Sequence, residues 1–287
     1  VSFMADEHTE YLCAMTHDQR PIGVFDSGIG GLSVLKHLLH QMPHERFIYL
    51  GDTARVPYGN KSTETIRLYA RQCAAFLLQH DVKMIIVACN TASALALDVL
   101  QRELDVPVIG VIEPASNAAA AATRNGNVGV IGTRATIASN SYARAIEAAS
   151  VNRVVIQSQP CPLFVPLVEE GWLDTPATRL VAVEYLRALI ANHIDTLVLG
   201  CTHYPLLTPM LTAMLPEVRL IDCGEWTART AHHVLAQADT FCAPGADRPT
   251  YFYVTDHTPM FQPLAHQFLG RPVNEPVRVS VDHLLDE

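Results

Sequence analysis

The sequence predicts an α/β protein made of two similar domains, with mainly parallel sheets, facing each other across a cleft. Three observations carry that prediction. From Pro21 onward, short continuous apolar runs alternate with amphipathic stretches, as in buried parallel strands joined by helices. The two halves also echo each other: IGVFDSG at 22–28 resembles VGVIGT at 128–133, and the run ending at Cys89 resembles the one ending at Cys201. Finally, the echoes keep step, with 66 residues from Gly23 to Cys89 and 72 from Gly129 to Cys201.

Taken in order, residues 1–20 are polar and aperiodic and read as a mobile N-terminal extension. Strands are predicted at 22–25, 47–50, 84–88, 108–111, 128–131, 154–157, 196–199, 219–221 and 251–254, where β-branched, aliphatic and aromatic residues cluster. Helices are predicted at 32–41, 63–80, 95–103, 136–149, 178–192 and 227–238, where the pattern is amphipathic. Open α/β sheets bind ligands at the carboxyl ends of their strands, so those ends should line the cleft.

Composition narrows the function. The 287 residues suffice for two domains of ordinary size, and 49% are hydrophobic against 17% charged. A net charge of −9, with Arg55, Arg67, Arg71, Arg102 and Arg134 scattered, argues against nucleic acid as the main partner. Seven cysteines without a C-x-x-C pair point to reduced thiols in a cytosolic compartment. No apolar run is long enough to span a bilayer and no leader pattern is present, so a soluble cytoplasmic protein is expected.

Two of the thiols stand out. Cys89, in IIVACNT, and Cys201, in LVLGCTH, each end an apolar run and precede hydroxyl or amide side chains. That is the setting of a thiol delivered by a strand to the mouth of a cleft. Cys89 also opens a helical stretch, which should stabilise its thiolate and lower its pKa. Asn90, Thr91 and Ser93 can bond a polar ligand or cap that helix. His203, two residues after Cys201, can orient it or exchange its proton. Zinc is disfavoured, because no second Cys/His pair stands at finger-like spacing. The turn DSGIGGLS at 26–33 exposes backbone N–H groups at a helix start, which suits a small carboxylate. It matches neither G-x-x-x-x-G-K-[ST] nor G-x-G-x-x-G, and Asp26 would repel phosphate but serve beside a thiol. Cys13, Cys73, Cys161, Cys223 and Cys242 lack such a context and read as structural.

These residues resemble the glutamate racemases of the aspartate/glutamate racemase superfamily. The resemblance runs from Ile22 to about Val281 and rests on FDSGIGGLSV at 25–34, PYG at 57–59, ACNTAS at 88–93, IGT at 131–133, PLVE at 166–169 and LGCTHYPLL at 199–207. His203 favours the glutamate branch over the aspartate branch. The resemblance implies cofactor-independent, two-base racemisation of glutamate, supplying D-glutamate for peptidoglycan, with no metal and no organic cofactor. Cys89 would deprotonate the D-enantiomer and Cys201 the L-enantiomer, with Asp26 assisting Cys89, His203 assisting Cys201 and Glu169 as a further acidic group. Ser27, Pro57, Tyr58, Gly59, Asn90, Thr91, Thr133, Thr136 and Thr202 would hold the substrate, with no arginine at a family binding position. It also implies a first domain of 21–113 with 226–287, a second of 114–225, and a cleft that closes over glutamate. Homodimers are common in the family, and some relatives with N-terminal extensions respond to UDP-MurNAc-L-alanine, a peptidoglycan precursor. One departure is Cys223, where the family commonly has Ser. Racemisation of aspartate, and binding of an amino acid without catalysis, are the competing readings.

Overall fold

The computed structural model describes residues 17–243, 249–257 and 259–281. Cys13 and residues 1–16 of the expected extension lie outside the described residues. Asp18 is held in place: its carbonyl accepts from Lys83 Nζ at 2.9 Å and from Cys242 Sγ at 3.2 Å. Lys83 is itself buried and paired with buried Glu45 at 2.7 Å.

The strands are β1 (Ile22–Asp26), β2 (Phe47–Gly51), β3 (Met84–Val87), β4 (Val108–Gly110), β5 (Asn127–Gly132), β6 (Val155–Pro160), β7 (Thr196–Gly200), β8 (Arg219–Asp222), β9 (Thr250–Val254) and β10 (Val277–Arg278). They form a six-stranded sheet ordered β10-β9-β2-β1-β3-β4 and a four-stranded sheet ordered β6-β5-β7-β8, with every pairing parallel. The echo in the sequence is therefore an echo in topology. The order β2-β1-β3-β4 recurs as β6-β5-β7-β8, so β1 corresponds to β5 and β3 to β7. β1, β3 and β7 are buried at every residue, which is why they read as unbroken apolar runs.

The helices are α1 (Leu32–Gln41), α2 (Thr63–Leu78), α3 (Asn90–Glu103), α4 (Ile112–Ala122), α5 (Arg134–Ala138), α6 (Ser141–Ala149), α7 (Phe164–Glu169), α8 (Pro176–Ala191), α9 (Thr208–Met214), α10 (Cys223–Ala238) and α11 (Phe261–Leu269). All nine predicted strands form, and the one expected at 154–157 runs on to Pro160 because β6 is an edge strand, where proline is tolerated. The helix expected at 136–149 is two, broken where Asn140 takes a left-handed φ of 54°. α3 begins five residues earlier than predicted, which makes Cys89 its N-cap.

Successive residues of the first sheet face opposite ways. Val24, Phe47, Tyr49 and Ile86 join one core, while Phe25, Leu50, Ile85 and Val87 join another under α2 and α3. The first core does not stop at its own sheet. It continues through Leu35 and Leu38 of α1, Ala115 and Ala119 of α4 and Ala231 of α10 to Val130 and Val198 of the second sheet. Among the described residues, no helix is long and apolar enough to cross a membrane.

Candidate active site

Equivalent strands of the two sheets end at the two thiols. β3 leads into Cys89 and β7 into Cys201, which are 4% and 6% exposed. Both open onto one cleft of about 630 Å³, within the range of ~300–1,000 Å³ usual for small-molecule sites. Of the residues expected to bind or assist, Ser27, Pro57, Tyr58, Gly59, Asn90, Thr91, Thr133, Glu169, Thr202 and His203 line it as well.

Three of the expected residues are set differently from these. Asp26 does not reach the cleft: it is fully buried beneath the glycine turn, where its Oδ2 accepts from the Gly28 N–H at 2.9 Å and its Oδ1 has no hydrogen-bond partner. Thr136 also stands back, behind Thr133, with its hydroxyl 2.9 Å from Thr133 Oγ1 and 3.2 Å from Thr91 Oγ1. Tyr58 presents its ring, but its hydroxyl turns away to donate to Asp52. Asp52 in turn holds Arg55, which donates to Gln72, and it accepts from Thr255 at 2.9 Å. This buried cluster fixes the Pro57-Tyr58-Gly59 wall, and although Asp52, Arg55 and Tyr58 are near neighbours in sequence, Gln72 and Thr255 complete it from afar.

The two sheets meet at the cleft through close contacts. Thr91 and Thr133 hydroxyls lie 3.0 Å apart, and a side chain on Gly59 would come within 3.0 Å of Thr133. Ser33, at the start of α1, donates to the Thr202 carbonyl at 2.8 Å. A Cβ on Gly30 would sit 2.5 Å from the His203 ring and 2.4 Å from Thr202 Oγ1, so the turn needs glycine there.

The support of the thiols differs between the sides. His203 Nδ1 stands 4.0 Å from Cys201 Sγ, while its Nε2 pairs with Glu169 Oε1 at 2.9 Å. Phe268 of α11 packs edge-on against the imidazole at 5.3 Å. On the other side the hydroxyl and N–H of Ser27 and the N–H of Ala92 approach Cys89. Burial, with the Asp26 charge adding to it, pushes the Cys89 thiol up to about 11. That overturns the expected lowering. A helix start contributes ~0.3–1 kcal/mol, less than the ~1.4 kcal/mol of one pK unit, and burial outweighs it. Cys201 is raised further, by burial first, with the nearby Cys89 and Asp26 opposing ionisation and the His203 N–H favouring it. Burial also raises the Asp26 carboxyl, against the attraction of His203 and the N–H groups of Gly28, Gly31 and Ser27.

The sequence did not indicate the far wall, made by Pro162, Val165 and Pro166, or the contribution of Met260 and Leu264 around α11. Arg134 lines the rim as well. Among the described residues, no group of three or more His, Cys, Asp or Glu side chains gathers as metal ligands would.

Residues 22–231 match the family model described as Asp/Glu/Hydantoin racemase. The glutamate racemase of Syntrophus aciditrophicus (strain SB) is 51% identical over 264 residues, covering 91% of this chain and 97% of that protein. In fold, the chain is similar to glutamate racemase from Francisella tularensis in complex with D-glutamate: TM-score 0.86, 41% identity, covering 92% of this chain and 99% of that one. It is also similar to Escherichia coli glutamate racemase in complex with L-glutamate and the activator UDP-MurNAc-ala: TM-score 0.71, 32% identity, covering 87% and 95%.

Proposed function

The chain belongs to the Asp/Glu/Hydantoin racemase family, and from that premise we infer that it interconverts L- and D-glutamate by proton transfer at the α-carbon, with Cys89 and Cys201 as the two bases. One observation carries the reading: two thiols end equivalent strands of two like-ordered sheets and open onto one cleft. Inverting a stereocentre needs a base on one face and an acid on the other, and this arrangement supplies a group of the same kind to each.

From L-glutamate, Cys201 as thiolate takes the α-proton and Cys89 as thiol delivers its own to the opposite face. The product leaves a thiol at 201 and a thiolate at 89, and turnover from D-glutamate restores the starting pair. Asp26, beneath Cys89, and His203 with Glu169, beside Cys201, hold and return the protons between turnovers. Ser27, Asn90, Thr91, Thr133 and Thr202, with the N–H groups of the glycine turn, bind the ammonium and carboxylates. The same fixed dipoles stabilise charge that spreads from the α-carbon to the carboxylate in the transition state. In the cell, such an activity supplies D-glutamate for peptidoglycan.

Proton NMR of chelator-treated protein with L-glutamate in deuterium oxide, with chiral analysis, tests this. Loss of the α-proton signal with appearance of D-glutamate is expected, and Cys89→Ser or Cys201→Ser should each reduce racemisation by ~10³-fold or more. Exchange of aspartate but not glutamate would move the substrate to the shorter homologue. If neither amino acid exchanged, even with UDP-MurNAc-L-alanine added, the reading would be overturned.

A further inference from the structure

The sequence set Cys223 aside as structural, yet it closes a chain of buried polar groups that ends in the cleft. Asn90 is 2% exposed, and its Oδ1 accepts from the Tyr142 hydroxyl at 2.6 Å. The Tyr142 oxygen lies 2.9 Å from Cys223 Sγ, which is 3.3 Å from the carbonyl of Leu199, two residues before Cys201. At the other end Asn90 Nδ2 is buried without a partner, although Asn90 lines the cleft. Of the other such buried atoms among the described residues, the Glu45 oxygen is ion-paired with Lys83, and those on Asp26 and Ser116 belong to residues that do not open onto the cleft. A buried amide N–H without a partner is costly, and in a cleft it marks where a ligand acceptor goes.

We propose that Tyr142 and Cys223 are positioning residues that fix the Asn90 amide, so that its Nδ2 donates to a carboxylate oxygen of the amino-acid substrate. The phenol has one proton. Given to Asn90 Oδ1, it leaves the phenol oxygen to share the Cys223 thiol proton with the Leu199 carbonyl, to which that thiol donates. That thiol stays protonated, since burial pushes it up to about 12. An Asn90 amide released from Tyr142 rotates and offers its carbonyl oxygen to the carboxylate, which repels it. The chain joins α3, α6, α10 and β7, so it also ties the neighbour of one thiol to the strand carrying the other. This inference rests on the glutamate reading and adds residues that act through Asn90 without touching substrate.

A double-mutant cycle tests it. Tyr142→Phe and Cys223→Ala should each lower kcat/KM for glutamate by ~10–100-fold, the scale of a hydrogen bond to a charged group. Cys223→Ser, which keeps a donor at that position, should recover most of the loss. In an Asn90→Ala background, Tyr142→Phe should cost almost nothing more, because its only route to the substrate is gone. Additive losses, or native kcat/KM in Tyr142→Phe, would overturn the proposal. If Tyr142→Phe does not fold, Cys223→Ala closes the same cycle with Asn90→Ala. A native protein that exchanges no α-proton defeats the glutamate reading, whereas native turnover with additive losses defeats this inference alone.

Discussion

A thiol that titrates near 11 is almost wholly protonated at neutral pH, but once ionised it is a stronger base than an ordinary thiolate. That serves a reaction whose acid is a C–H bond. Alkylation of Cys89 by iodoacetamide should therefore be slow at pH 7 and climb about tenfold per pH unit toward pH 11, with bound D-glutamate slowing it. A plateau near pH 8 would mean that the start of α3 outweighs burial after all. Asp26 carries a linked cost. Its carboxyl is raised above the unfolded value of ~3.9, so below that value it is neutral in both states and costs nothing. As pH rises through the folded titration the buried charge develops and stability is lost. Asp26→Asn should lower turnover, while its melting temperature relative to native improves from pH 4 to pH 7.5. A difference in melting temperature that ignores pH would show that the native carboxylate is not a burden.

At the scale of elements, the glycine turn after β1 is the most demanding piece. Gly30→Ala should cut kcat/KM by ~10²-fold, since the new methyl displaces Thr202 and His203, with folding checked by circular dichroism. Unchanged kinetics would mean that the Cys201 loop yields freely. The strands around this turn were legible because burial on both faces writes them as apolar runs, and both thiols were legible because each ends such a run. Four helices were not. α4, α7, α9 and α11 carry Pro114, Pro166, Pro209 and Pro263 in their first turns, where proline costs no hydrogen bond yet reads as a breaker. Missing α11 also hid the packing of Phe268 on His203. Tyr142 gave no signal, because its partners Asn90 and Cys223 lie 52 and 81 residues away.

For the whole molecule, the like strand orders matter less than the unlike support behind them. One thiol feels the opposing charge of buried Asp26, and the other stands beside an imidazole paired with Glu169. Enantiomers have equal free energy in water, so the equilibrium ratio is unity and no catalyst can alter it. The asymmetry of the halves is thus confined to how each direction divides its efficiency between turnover and saturation. Progress curves begun from either enantiomer should give different kcat and different KM but one common kcat/KM. Glu169→Gln, though it sits on one side alone, should lower that shared value equally both ways. A ratio that departs from unity would mean that inversion is coupled to some other, energy-releasing event. The two halves share a strand order but differ in what stands behind each thiol, and microscopic reversibility makes each difference felt in both directions.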